Sequence, residues 1–131
     1  MVRTLTVTAG TGRYRIEVLT TLTAEGLVVQ ILGGEKPHVG AIAIALPRPS
    51  LSSPGELRTS TTVVPLYGHR DDEIARPAAE KLAVACAQPV VVVAGVHIEA
   101  ATREEIELLV ANVSEAVEEL TRLVAAEQSR K

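Results

Sequence analysis

The chain has 131 residues, a formal net charge of −3, 47% hydrophobic residues and one cysteine. That is the size of one domain with a real core, and the apolar content excludes a disordered chain. The acidic balance argues against a general nucleic-acid or anionic-membrane surface. With only Tyr14 and Tyr67 as aromatics, base stacking is disfavoured too, and the core must be aliphatic. The longest apolar run, residues 89–96, is too short to span a bilayer, and residues 1–6 lack a secretory pattern. A lone Cys86 allows no intrachain disulfide, so a cytoplasmic setting is expected.

Residues 2–8 alternate with period two and predict a strand. The turn Ala9-Gly10-Thr11-Gly12 leads into a second alternating strand over 13–21, with Tyr14, Ile16 and Val18 on one side. The pair reads as a hairpin with one wet face. After the turn at 23–26, residues 27–32 predict a third strand. Next comes Gly33-Gly34-Glu35-Lys36-Pro37-His38-Val39-Gly40, a loop rich in glycine. Residues 41–46 are apolar on both faces and predict a buried central strand. One face carries Ile42, Ile44 and Leu46, and the other only alanines, an invitation to close packing by a ligand or partner.

Residues 47–58 hold three prolines and read as an exposed loop, followed by a fifth strand over 60–66, in which Pro65 points to a sheet edge or a strand terminus. A helix begins after Gly68-His69-Arg70, capped by Asp71 or Asp72, and ends near Ala87. Pro77 requires a kink or a late start, and Ile74, Ala78, Leu82 and Ala85 form the expected buried stripe. Residues 89–96 predict a second buried strand, reached by a βαβ crossover. Thr102-Arg103-Glu104-Glu105 is a capping box. It opens a helix of about six turns with Ile106, Leu109, Val110, Val113, Val117, Leu120 and Val124 inward.

The fold class that follows is α+β, a single domain over 1–131: six strands, mostly antiparallel, with two helices on one face. Six strands at ~4.8 Å spacing make a sheet about 25 Å wide. Its other face is apolar at the central strands and needs a cover, for which a homodimer is the simplest.

The histidines His38, His69 and His97 all fall at strand or helix junctions, where α/β sheets carry ligands. They are too far apart in sequence for a zinc motif, and Cys86 falls inside a helix, so no metal site is expected. Nor is there a nucleophile elbow. An anion site has more support. The Gly33-Gly34 amides and the helix start at Gly68-His69-Arg70 can face a phosphate. Lys36, Arg48, Arg58 and Arg70 supply charge, and Ser60, Thr61 and Thr62 supply hydroxyls. Turn glycines and surface basics that serve only the fold would give the same pattern, and no P-loop or dinucleotide fingerprint is present.

Five segments carry a resemblance: Gly33 to Ala43, Pro47-Arg48-Pro49-Ser50-Leu51, Ser60-Thr61-Thr62, Gly68 to Ala75, and Ala94-Gly95-Val96-His97-Ile98. Together they resemble the prenylated-flavin chaperone family, the LpdD-like proteins associated with gallate decarboxylase, from about residue 12 to residue 113. The resemblance implies a fold similar to the small proteasome-assembly chaperones, usually dimeric. It implies an accessory protein, not an enzyme, that binds prenylated FMN, or FMN more weakly, and matures, protects or delivers it to a UbiD-type decarboxylase. By position, Gly33, Gly34, Lys36, His38, Arg48, Ser60, Thr61, Thr62, His69, Arg70 and His97 would line the cofactor site. Phosphate would fall to Arg48, Ser60, Thr61 and the amides near His69, and the isoalloxazine edge to His38, His69 and His97. The chain departs from the family pattern at Arg70, where the family has lysine, and at Pro77. Ring stacking would fall to Tyr67 or aliphatic walls. Two other readings stand beside it: an interaction subunit without cofactor, and a small enzyme using His69 with Asp71 or Asp72.

Overall fold

The computed structural model describes residues 2–66 and 71–130. Six strands and two helices follow in the order β1 (Arg3–Ala9), β2 (Ile16–Thr23), β3 (Gly26–Gly34), β4 (Ala41–Pro49), β5 (Leu57–Pro65), α1 (Asp72–Cys86), β6 (Val90–His97) and α2 (Arg103–Ser129). They form one sheet in the order β1-β2-β3-β6-β4-β5. Every neighbouring pair is antiparallel except β3 and β6, which run parallel with Leu27 beside Val90 and Gly34 beside His97. The expected crossover is there in split form: β5 and β6 run the same way, with β4 between them.

Side chains alternate across a strand, so the register sorts the sheet into two faces. Ile16 and Val18 of β2, Val29 and Ile31 of β3, Val90 and Val92 of β6, and the alanines of β4 are all fully buried under the helices. Each large aliphatic of this set contributes about 1.5–3 kcal/mol through burial. The alanine side of β4 is not a ligand or partner surface, as the sequence had invited. It is where α1 lies, its own Ala75, Ala79 and Ala83 pressed against Ala41, Ala43 and Ala45, every one of them fully buried. Small residues on both elements let helix and sheet approach closely. The isoleucine side is the open one.

The helix stripes are shifted from the expected ones. In α1 the inward residues are Ala75, Ala78, Ala79, Leu82, Ala83 and Cys86, while Ala85 is exposed and Ile74 only partly buried. The helix begins at Asp72 and runs through Pro77, so Pro77 sits inside it and not in a delayed first turn. α2 has 27 residues, about seven and a half turns, longer than expected. Its capping box is formed, with Thr102 accepting from the Glu105 amide and Glu105 accepting from the Thr102 amide. Ile106 and Val110 are half exposed, and Asn112 is buried instead, its amide donating to the Tyr14 carbonyl at 2.9 Å. Burial pushes the Cys86 thiol pKa up, as suits a packing residue.

Two boundaries moved for clear reasons. Gly12–Tyr14 form a 3₁₀ turn, so β2 begins only at Ile16. β4 continues through Pro47 and Pro49, where a loop was expected. Beyond Ala45, β4 pairs with β5 alone. With β6 absent on that side, a residue lacking an N–H leaves no ladder bond unmade.

One core atom is out of place. The Thr20 hydroxyl is buried on β2 and has no hydrogen-bond partner among the described residues. An unpaired buried hydroxyl costs more than the methyl that would replace it. Thr20→Val is therefore expected to raise stability by roughly 1 kcal/mol, read from the urea midpoint at unchanged slope. A lower midpoint would show that the hydroxyl is satisfied.

Candidate functional site

The parallel strands β3 and β6 end together at Gly34 and His97, and the chain segment 35–40 folds over those ends before entering β4. The Glu35 and Lys36 amides both donate to the His97 carbonyl, at 2.8 and 3.2 Å. The His38 amide donates to the Gly95 carbonyl and the Gly40 amide to the Ala94 carbonyl. The Gly34 amide goes to the Arg15 carbonyl. This corrects the expected anion cradle: the amides of Gly34, Glu35, Lys36, His38 and Gly40 already serve protein acceptors. Gly33 lies within the ladder, between Ile16 and Val96. What this segment offers a ligand is side chains.

His38 is the central one. Its Nε2 lies 2.8 Å from Asp71 Oδ2, and its Nδ1 lies 2.9 Å from the Lys36 carbonyl. Asp71 is 5% exposed, and its other oxygen accepts the Val96 amide at 3.0 Å. Asp71 was expected to cap α1. It does occupy the N-cap position, but its side chain makes no capping bond and turns inward to His38 and β6. The buried carboxylate thus joins three elements: the 35–40 segment, the first turn of α1 and the end of β6. The fit is close enough to require glycine at two positions. A Cβ on Gly40 would strike the Asp71 carboxylate, and one on Gly95 would strike the His38 backbone. His97 stands beside this pair, ring edge to ring face with His38 at 6.2 Å between centroids, its Nε2 3.1 Å from Glu99.

A charged buttress holds the neighbouring corner. Arg13 reaches Glu35 at 3.3 Å and Glu105 at 3.5 Å, and Tyr14 donates its hydroxyl to Glu105 at 2.7 Å. Glu35 also accepts the Glu99 amide. The Thr102 amide bond and the Tyr14 hydroxyl hold the Glu105 carboxyl below the usual range. The same bond from the other side pushes the Tyr14 hydroxyl up.

The residues singled out from the sequence fall into separate places. Gly33, Gly34, Lys36, His38 and His97 meet at this end of the sheet. Arg48 lies seven residues along β4 from Ala41, about 23 Å away. It faces the open side beside Arg58, with Ser60 and Thr62 on the same face of β5. One phosphate cannot be held from both ends. Thr61 faces the other way and donates to Glu80 of α1 at 2.7 Å, so its hydroxyl is committed to the fold. Tyr67, Gly68, His69 and Arg70 lie outside the described residues. Asp71, Glu35, Glu99 and Arg13 were not singled out as ligand-site residues. The sequence offered Asp71 only as a cap of α1, shared with Asp72, or as a partner of His69 in the small-enzyme reading, and not as the partner of His38.

Comparison with known proteins adds the class first. The fold is α+β, a six-stranded mixed sheet with two helices. It is similar to a chain from the crystal structure of a novel chaperone complex for yeast 20S proteasome assembly, with TM-score 0.61 and 18% identity over 96% of this chain and 97% of that one. The particular family follows from sequence: the prenylated flavin chaperone LpdD-like domain matches residues 10–125, and the chain belongs to that family. No curated protein matches it. No helix among the described residues is long and apolar enough to cross a membrane.

Two measurements test this geometry. Gly95→Ala is expected to destabilise the fold by about 2–4 kcal/mol, because neither backbone can yield, and chemical denaturation reads this directly. The Glu105 carboxyl has a lower pKa folded than unfolded. Its contribution is therefore present above the ordinary carboxylate range and lost as pH falls through the folded value. Stability should decline as pH falls below the ordinary carboxylate range, and less steeply in Glu105→Gln. Parallel declines in the two proteins would show that this carboxylate carries no pH dependence.

Proposed function

We propose that this chain binds prenylated FMN, with FMN as the weaker ligand, and assists its maturation, protection or delivery for a UbiD-type decarboxylase. Membership of the prenylated flavin chaperone family over residues 10–125 carries this reading. The family's name joins a chaperone role to a flavin, and the role here is to hold and pass on the cofactor, not to turn over a substrate.

The end of the β3–β6 pair is the best-supported position for the ligand. Parallel strands carry ligands beyond their carboxyl ends, where the chain crosses over. Here the strand ends bring together Lys36, His38 and His97, with the start of α1 and its positive dipole alongside. Lys36 is exposed and the His97 side chain is 43% exposed, so both can reach a ligand, whereas His38 is turned inward. His69 and Arg70, immediately before α1, complete the proposed set. Arg48 drops out of it by distance, and Thr61 because its hydroxyl is committed to Glu80.

The experiment is an anaerobic titration with prenylated FMN and with FMN, followed by absorbance and calorimetry. Tight binding is expected, weakened roughly tenfold or more in Lys36→Ala and His97→Ala, since a charge-assisted hydrogen bond is worth about 1.5–3 kcal/mol. Arg48→Ala should bind as the natural chain does. No binding of either flavin would reject the reading. The interaction-subunit alternative would then lead, favoured by the open apolar face of the sheet.

A further inference from the structure

Beyond Ala45, β4 leaves β6 behind and keeps only β5, so Leu46 to Ser60 stand out from the sheet as a two-stranded arm. Four residue pairs carry it about 13 Å past Val90. Its root is tied to α1, where Thr59 and Thr61 donate to Glu80 at 3.1 and 2.7 Å. Its tip is tied by its own bonds. Ser50 Oγ accepts the Ser52 and Ser53 amides at 3.3 and 3.0 Å, and the Ser50 amide donates to the Glu56 carbonyl at 2.8 Å. On this tip Leu51 is 96% exposed, more than any other large hydrophobic side chain among the described residues. Leu46, on the open face of the arm, is 48% exposed.

The arm is also basic. Arg48 and Arg58 are direct cross-strand partners on one face. Like charges placed so repel each other, and the hairpin bears that cost. The one carboxylate of the arm, Glu56, lies 3.5 Å from Arg58, and Arg48 reaches only the Pro49 carbonyl among the described residues. Two cations and one anion leave the arm at +1 in a chain of net charge −3. We propose that the arm is a docking element: Leu51 enters an apolar pocket of a partner protein, and carboxylates on the rim of that pocket pair with Arg48 and Arg58. The partner is the decarboxylase of the proposed function, so the inference rests on that reading.

The occupant follows from the chemistry. An arm tied at root and tip has already lost much of the freedom that binding would cost it. Arginine is enriched in protein interfaces, where its planar fork meets carboxylates two bonds at a time. A small anion would use the arginines and leave Leu51 without a role. A second copy meeting this arm about a two-fold axis would set the arginines against themselves. An acidic protein surface answers both features at once. The arm also lies at the far end of β4 from His38, about 23 Å along the strand, so a partner gripped there leaves the proposed flavin site open.

The test is calorimetric titration of the full chain into a purified, cofactor-free UbiD-type decarboxylase, with no flavin present. Binding is expected, and it should weaken as salt is raised, because exposed charge pairs are screened. Leu51→Asp should weaken it roughly tenfold or more. Arg48→Glu combined with Arg58→Glu should weaken it roughly a hundredfold. That double change keeps like charges opposite each other, so the hairpin's own balance and the circular dichroism spectrum should stay as they are. Val110→Lys, at a half-exposed position in α2, should bind as the natural chain does. No binding of the decarboxylase overturns the proposal, as does binding that ignores the arm variants. A change in the sedimenting mass of the chain alone in those variants also overturns it, since the arm would then serve self-association. Flavin binding is measured separately on the same variants and should be unchanged. A chain that takes flavin but not the decarboxylase loses only the docking arm, and one that docks through the arm without taking flavin loses only the cofactor reading.

Discussion

Asp71 is the group around which one end of this molecule is organised. A carboxylate with only a few per cent of its surface exposed must have its oxygens satisfied, or the fold forfeits several kcal/mol. Here one oxygen takes the Val96 amide and the other meets His38. Neither partner is near it in sequence. The pairing therefore fixes where α1 starts relative to β6, and where the 35–40 segment lies over both. The glycines follow from it: with the carboxylate and the His38 backbone this close, a side chain at Gly40 or Gly95 has nowhere to go.

The same tightness decides what the site can offer. Backbone amides that seemed free for an anion are consumed in strapping the segment to β6. At the proposed site, recognition then falls to side chains standing at the rim, on a strapped base. Fixed side chains on a rigid base lose less entropy when a ligand arrives.

The two faces of the sheet divide the labour. One is sealed by α1 and α2, closely enough that β4 presents only alanines to α1. The other keeps its larger aliphatics half exposed. A sheet with both faces apolar at its centre is typical of strands covered on both sides. Among the described residues only one cover comes from this chain.

Much of this was legible in the sequence, because period and capping are local. Alternation gave the strands, the Thr102 to Glu105 box gave the start of α2, and the apolar runs gave β4 and β6 as central strands. The family resemblance was legible too, since it rests on short segments. What the sequence left open was every choice that depends on distant neighbours. Whether the alanines or the isoleucines of β4 face a helix cannot be read from a strand that is apolar on both sides. Whether Asp71 caps its own helix or bonds to His38, 33 positions earlier, is settled by packing that brings the two within 2.8 Å. Arg48 and His38 are close in sequence, yet extended β4 carries them to opposite ends of the sheet. Local propensity determined the elements; the tertiary structure decided which faces meet and which polar groups remain for a ligand, because burial and long-range hydrogen bonds exist only once the chain has closed on itself.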